Sequence, residues 1–382
     1  MPPILLAKTV SSKDSSGLSC DISVIDSKYA TRLREMVSTS VAVIGGTVSS
    51  ILKLWENRGA RLADLQAALL VIDEASMMVF PHFLALATLL DPVNGQILLA
   101  GDHQQLPPIV AHDWLNEDRP PVVLYQPFTS AYVAIQNIGR EKLDNSKVCQ
   151  SPLRYSFRLP PEIRELINRL YGQERALHGR PSGSHSWPVA SQNVWESVWH
   201  GETGLYLIIH DEKRSKLSNN VEAYIVEKIL SRCGARSPKS VAIITPHRAQ
   251  RGLLTARLTQ YAGPSGIISS INTVESFQGG QQDTIIVSAS ESDPSAISTS
   301  TKFILDLKRS NVAFSRAKER LIVICAETLL DFIPPEADDY EATLLWRSLR
   351  QICSREIATE HTEIGGDPYE LKIFTYNPNW DR

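Results

Sequence analysis

The stretch that decides the fold is Leu69–Ser76, which reads Leu-Leu-Val-Ile-Asp-Glu-Ala-Ser. Four apolar residues end abruptly in two adjacent carboxylates, Asp73 and Glu74. A short apolar run of this kind predicts a buried parallel strand that delivers its charges at the carboxyl edge of a sheet. Because ligands of open α/β sheets bind at that edge, the acidic pair suits a nucleotide site. A strand that simply ends in a charged turn is the alternative at this point.

A second strand is expected one crossover later. Ile97–Ala100 is apolar and runs into residues 101–108, which read Gly-Asp-His-Gln-Gln-Leu-Pro-Pro. Asp73 and Asp102 are 29 residues apart, which is a natural length for one strand–helix–strand unit. The two strands should therefore bring their polar ends to the same edge of one sheet.

The composition limits the classes of protein to which the chain can belong. It has 382 residues, of which 43% are hydrophobic and 21% charged, and a net charge of −3. This length is sufficient for two core-forming domains. The charge excludes a protein-wide basic field, so any contact with nucleic acid must come from a local cleft. Five cysteines without metal-ligand spacing and the lack of a long apolar run predict a cytoplasmic protein, or a nuclear one in a eukaryote, without a membrane partner.

The rest of the chain predicts a second parallel sheet. A helix is expected over Pro161–Tyr171, after which short apolar strands alternate with helical patterns. The strands are expected at Leu205–Ile209, Val241–Ile244, Thr284–Ser288 and Leu321–Cys325. An amphipathic helix over Tyr340–Ile357 and a tail are expected to end the chain.

Six segments accompany the predicted strands in a fixed order. They are Val71–Ser76, Gly101–Pro108, Arg154–Pro160, Ile244–His247, Val274–Gly279 and Arg309–Lys318. In this order and spacing they resemble the motifs of superfamily 1 helicases, particularly the Upf1-like and Dna2-like branch. The resemblance implies an α/β fold of two RecA-like parallel-sheet domains, the first of them incomplete. Residues 1–145 would form the partial first domain, residues 146–335 the second domain, and residues 336–382 a terminal helix and tail.

The resemblance also implies roles in ATP-dependent movement along single-stranded DNA or RNA. Asp73 would hold Mg²⁺, Glu74 would activate the attacking water, and Gln105 would sense the γ-phosphate of ATP. Arg158 and Arg316 would reach the phosphates from the second domain, where planar guanidiniums stabilise the charge of phosphoryl transfer. The residues implied near the nucleotide are Gln278, Gly279 and Gln281. Those implied to contact the strand are Thr47, Pro107, Pro108, Thr245, Pro246, His247 and Thr273.

Three positions depart from the pattern of the family. The aspartate that the family has before Phe-Gln-Gly is replaced by Glu275-Ser276. Gln281 stands in place of a glutamate, which leaves a side chain that can hydrogen-bond a ribose but carries no charge. His247 stands where the family often has tyrosine, so it is expected to be either a ring that stacks on a base or an ordinary surface histidine.

The sequence contains no Gly-x-x-x-x-Gly-Lys-[Ser/Thr] phosphate loop. The nearest stretch, Pro2–Thr9, has Lys8 and Thr9 in place but lacks both glycines. The simplest interpretation is the carboxyl-terminal portion of a helicase, with the loop supplied by a missing amino-terminal region or a separate chain. The rival is a catalytically inactive pseudo-helicase that binds nucleic acid or protein. A third hypothesis places a metal nuclease at Asp367 and residues 370–372, where a charged terminal turn is the alternative.

Overall fold

The computed structural model describes residues 4–8, 22–26, 43–56, 66–110, 128–141, 148–172, 175–179, 193–201, 204–233, 240–263, 266–277 and 279–380. The chain folds as two compact units. The first comprises Met1–His103 and Pro107–Cys149, and the second comprises Gln104–Leu106 and Gln150–Arg382. The predicted boundary between residues 145 and 146 lies outside the described residues.

The first unit contains two small parallel sheets. In one of them, β1 (Ile4–Lys8) lies between β2 (Ile22–Asp26) and β3 (Val43–Gly45). In the other, β4 (Leu69–Ile72) pairs with β5 (Gln96–Leu99). The backbone of β1 is extended and hydrogen-bonded on both sides, so it does not fold into a phosphate loop. The helices of this unit are α1 (Val48–Trp55), α2 (Phe80–Ala87) and α3 (Ala131–Glu141).

The strand before the acidic pair is less buried than its sequence predicts. The exposed fractions of Leu69 and Val71 are 52% and 57%, and that of Leu98 on β5 is 56%. Leu70 and Ile72 point to the opposite face and pack in the small core of the first unit. Among the residues that the structure describes, the β4–β5 sheet has two strands and its core lies on one face. A strand that a complete parallel sheet would bury on both faces is therefore open on one.

The second unit is built on a seven-stranded sheet in the order β10-β9-β11-β12-β8-β14-β13. Its parallel strands are β8 (Leu205–His210), β9 (Val241–Thr245), β10 (Ile268–Thr273), β11 (Gln282–Ser288) and β12 (Ala317–Ala326). Successive residues of β8 enter two different cores, with Leu205 and Leu207 in one and Tyr206 and Ile208 in the other. Both faces of the sheet are thus covered, as a parallel sheet requires.

The helices of the second unit are α4 (Pro161–Tyr171), α5 (Val194–His200), α6 (Asn220–Ser231), α7 (Arg248–Arg257), α8 (Pro294–Ile304), α9 (Leu307–Phe314), α10 (Glu327–Leu330) and α11 (Leu344–Ile352). A short parallel pair, β6 (Tyr155–Ser156) and β7 (His178–Gly179), flanks α4 in the chain. The four strands predicted for this part are confirmed, and so is the predicted α4. No helix in the described part of the chain has the length and apolar character needed to cross a bilayer.

The chain ends in a β-hairpin, and the prediction of a tail is wrong for these residues. β13 (Arg355–Ile364) and β14 (Asp367–Thr375) are antiparallel, and β14 also pairs with β8. Leu371 and Ile373 are fully buried, so the hairpin is part of the core of the second unit. The signal that was missed is a Gly-Gly turn, with φ angles of 66° and 89°, between two alternating runs.

Candidate nucleotide and nucleic-acid site

The two carboxylates of the acidic pair lie at the carboxyl end of β4. Asp73 is exposed and Glu74 is half-buried, and Oδ1 of Asp73 accepts a 2.9 Å hydrogen bond from the backbone N–H of Glu74. Glu74 has φ 52° and ψ 40°, a left-handed conformation that costs a residue with a side chain about 1–2 kcal/mol. Such strain persists only where neighbouring structure holds it, and it is common at functional sites.

The segments after β4 and β5 lie side by side, as the sequence predicts. The N–H of Ala75 donates to the carbonyl of Ala100 at 2.8 Å, and the N–H of Ala100 donates to the carbonyl of Ile72 at 2.9 Å. A Cβ atom at Gly101 would lie 3.0 Å from the backbone nitrogen of Ser76, so a larger residue would push the two segments apart. The hydroxyl of Ser76 is buried and has no hydrogen-bond partner within the described residues.

Gln105 and Arg316 are in direct contact within the second unit. Arg316 follows α9 and is 3% exposed, and its Nη2 donates to Oε1 of Gln105 at 3.1 Å. One turn earlier, Nδ2 of Asn311 donates to the backbone carbonyl of Gln104 at 2.8 Å. The end of α9 therefore holds the glutamine segment at two points. The structure brings together two side chains that the resemblance assigns to the γ-phosphate.

Arg158 also contacts a residue that the resemblance places near the nucleotide. Arg158 is exposed, and its Nε donates to Oε1 of Gln281 at 3.0 Å. Because the amide of Gln281 is neutral, this hydrogen bond orients the guanidinium without neutralising it. Gly279 has a φ of 78°, a left-handed value that favours glycine. Gln278 lies outside the described residues.

A chain of charged and aromatic contacts surrounds His247. The carboxylate of Glu275 forms an ion pair with Arg309, whose guanidinium lies 4.1 Å from the ring centroid of Phe303. The Phe303 ring stacks with His247 at a centroid distance of 5.1 Å, and Nε2 of His247 lies 2.5 Å from Oε1 of Glu291. The side chain of His247 is 13% exposed. It is therefore not an ordinary surface histidine, and little of its ring is open for stacking on a base.

The other residues expected to contact a strand differ in exposure. Thr245 is fully buried and Thr273 is 7% exposed, so their side chains lie inside the second unit. Thr47 is the N-cap of α1, where its Oγ1 accepts a hydrogen bond from a backbone N–H three residues later. Pro107 is exposed, Pro246 is half-buried and Pro108 is buried. The buried threonines can offer a strand only backbone groups, and all of these contacts stay predictions.

Comparisons with known proteins identify the family. Two family models, both described as an AAA domain, match residues 138–328, which is half of the chain, and residues 6–118. The chain is 26% identical over 278 residues to the DNA replication ATP-dependent helicase/nuclease JHS1 of Arabidopsis thaliana, covering 69% of this chain and 19% of that protein. It is 25% identical over 279 residues to the Regulator of nonsense transcripts 1 homolog of Drosophila melanogaster, covering 69% and 21%. The chain belongs to the Upf1-like and Dna2-like branch of the superfamily 1 helicases.

The chain spans about a fifth of the length of those two relatives. A solved structure of an arterivirus nonstructural protein 10 (helicase) with DNA is similar at 13% identity and a TM-score of 0.37, covering 85% of this chain and 48% of that one. The fold described above is α/β with a large, mainly parallel sheet, in agreement with two RecA-like domains of which the first is incomplete.

Sequence reasoning missed a buried polar network in the second unit of the chain. Glu222 is fully buried, and its carboxylate accepts hydrogen bonds from the hydroxyl of Ser288 at 2.5 Å and the N–H of Ser290 at 2.9 Å. It also lies 3.3 Å from Nε2 of His210. Asn219 caps α6 by accepting from the N–H of Glu222 at 3.0 Å. The Asn-x-x-Glu spacing is typical of a capping box, but this glutamate turns inward and holds the loop after β11.

The terminal hairpin carries carboxylates that are paired with cations. Nη2 of Arg214 lies 2.5 Å from Asp367, and Nζ of Lys372 lies 2.7 Å from Glu370. The hydrogen bond from Lys372 lowers the pKa of Glu370. Among the residues that the structure describes, no group of three or more histidine, cysteine, aspartate or glutamate side chains could hold a metal ion. The nuclease hypothesis thus gains no support from the hairpin.

Proposed function

We propose that this chain is the carboxyl-terminal part of an ATP-dependent superfamily 1 helicase that couples Mg-ATP hydrolysis to movement along single-stranded DNA or RNA. The observation that carries the proposal is the 3.1 Å hydrogen bond from the buried guanidinium of Arg316 to Gln105. A cation and a glutamine held together in this way suit the recognition of a terminal phosphate, because charge-assisted donors bind phosphate oxygens strongly. The hydrogen bond between Arg158 and Gln281 supports the same assignment.

The residues of the acidic pair fit a magnesium nucleotide. Asp73 offers an exposed carboxylate, and the nearby hydroxyl of Ser76 is a buried oxygen without a partner in the described part of the chain. Mg²⁺ in such sites is held by one or two carboxylates together with phosphates and water, so a full cage of protein ligands is not needed. When bound, Mg-ATP supplies the phosphoryl group and the metal charge. Glu74 would orient the attacking water, and Arg158 and Arg316 would stabilise the charge on the phosphate oxygens.

The phosphate loop is the part that these residues do not supply. The sequence has no stretch with the required glycines and lysine. Since the chain spans about a fifth of two of its relatives, we expect the loop to come from a segment outside this sequence or from a separate chain.

The purified 382-residue chain is therefore expected to hydrolyse little or no ATP, with or without single-stranded nucleic acid. Fusing it to a helicase segment that carries a phosphate loop should produce hydrolysis that the nucleic acid stimulates. The measurement is phosphate release at saturating ATP, and the Glu74→Gln form of the fusion is the matched control. A fusion that binds nucleic acid but never turns over would favour the inactive binding module instead.

A further inference from the structure

We propose that the loop after β8, residues 211–218, is an additional site that binds the sugar–phosphate backbone of a single-stranded nucleic acid. The inference rests on the proposed function and deepens its strand-binding part. The loop, here called the basic loop, reads Asp-Glu-Lys-Arg-Ser-Lys-Leu-Ser and exposes Lys213, Arg214 and Lys216. Arg214 pairs with Asp367, whereas Lys213 and Lys216 form no ion pair with any described residue.

The backbone of the basic loop is held by a buried carboxylate. Glu212 is 5% exposed, and it accepts hydrogen bonds from the N–H of Arg214 at 2.7 Å, from Nδ2 of Asn219 at 3.0 Å and from the hydroxyl of Ser292. The N–H of Ser215 donates to Oγ of Ser292 at 2.9 Å, and the carbonyl of Ser215 accepts from the N–H of Ser292 at 2.9 Å. A loop fixed in this way loses little conformational entropy when it binds a ligand.

The basic loop lies at the edge of the sheet where strand contacts are expected. β8 is parallel to β9, β11 and β12, so its carboxyl end lies at the same edge of the sheet as theirs. The far end of the loop is tied to α7, because the N–H of Asn219 donates to Oε1 of Gln250 at 2.8 Å. α7 begins directly after His247 and exposes Arg248 and Arg251 in its first turns. The basic loop therefore continues a surface that starts at a predicted strand contact.

The charge of this surface favours phosphate. Its exposed cations that form no ion pair with a described residue are Lys213, Lys216, Arg248 and Arg251, on a chain whose net charge is −3. Most of the nearby carboxylates already have hydrogen-bond partners within the protein. Glu212 is buried under the loop, Glu291 is buried against His247, and Asp293 caps α8. Asp211 is exposed and accepts an N–H from the terminal hairpin at 3.0 Å. Leu217 is 57% exposed among the lysines and offers apolar contact to a sugar or a base.

The test is the double variant Lys213→Ala/Lys216→Ala of the full 382-residue chain. Its affinity for fluorescein-labelled single-stranded oligothymidine and oligouridine is measured by anisotropy across a salt series. We expect affinity at 0.1 M salt to fall by at least about tenfold, because each phosphate contact on a single strand adds about 0.7 to the salt slope. The slope of log affinity against log salt should therefore decrease by about 1.4. Lys213→Arg/Lys216→Arg should keep both values.

A matched control removes the same charge elsewhere. Arg232→Ala/Lys302→Ala changes two exposed cations, one at the far end of α6 and one on α8, and should leave affinity and slope within about twofold of wild type. If the wild-type chain binds and the Lys213/Lys216 variant keeps the same affinity and salt slope, the basic loop does not bind the strand. The proposed function is not affected by that result. If the wild-type chain binds neither oligonucleotide, strand binding and the basic loop both fail. Displacement of the oligonucleotide by polyglutamate at equal charge would assign the loop to an acidic protein instead.

Discussion

Replacing Arg316 by alanine is expected to lower ATP turnover at least about 10³-fold in a helicase assembled from this chain and a phosphate-loop segment. Arg316 is 3% exposed and its guanidinium donates to Gln105, so its loss removes both a cation for the phosphate and the support of the glutamine. Strand affinity should stay within about threefold, since an arginine finger acts on the transferring phosphoryl group. Turnover is measured by phosphate release at saturating oligonucleotide, and affinity by anisotropy.

Two controls make this result specific. Arg316→Lys keeps the charge but loses the planar fork, and it should restore little of the lost turnover. Arg347→Ala removes a guanidinium on α11 that bonds to the hydroxyl of Tyr340, and it should leave turnover unchanged. Thermal unfolding confirms that each variant is folded. Wild-type turnover in the folded Arg316→Ala form would refute the role assigned to this residue.

The second large effect is expected on stability. Glu222→Ala should lower the free energy of unfolding of the second unit by about 3–5 kcal/mol, the usual cost of breaking a buried charged network. The hydroxyl of Ser288, the N–H of Ser290 and the ring of His210 would lose their acceptor in the interior. Urea unfolding followed by tryptophan fluorescence measures the change in midpoint and slope.

The same helix provides the control for this stability change. Glu227 lies five residues later on α6 and pairs with Arg257 at 2.6 Å, with both side chains 30% exposed. Because water screens such a pair, Glu227→Ala should cost less than about 1 kcal/mol. If both variants lost a similar free energy of unfolding, burial of the Glu222 network would not be the cause of its stabilising effect.

Much of the second unit could be predicted because its signals are local. The apolar runs at β8, β9 and β11 are continuous, as expected for strands buried on both faces, and proline starts α4. The crossover between β4 and β5 was also predictable from spacing, and the parallel pairing of these strands bears it out.

Other features depend on contacts between distant residues. The exposure of Leu69 and Val71 depends on how many strands pair with β4. That number cannot be predicted from the sequence of β4 alone. The sequence predicted that His247 would either stack on a base or lie at the surface. In the fold its ring stacks on Phe303 and its Nε2 hydrogen-bonds with Glu291. Glu222 has the spacing of a helix cap, yet its carboxylate accepts a hydrogen bond from the loop after β11, 68 residues away.

The family, the order of the motifs and the alternation of strands and helices can be predicted from the amino-acid sequence, because they follow from residue types and spacings along the chain. The pairing of buried polar groups, such as Arg316 with Gln105 and Glu212 with the basic loop, required the three-dimensional structure. A buried polar group must find its partner in the interior to offset its lost hydration. That partner is chosen by the packing of the whole unit, and proximity in the sequence does not reveal it.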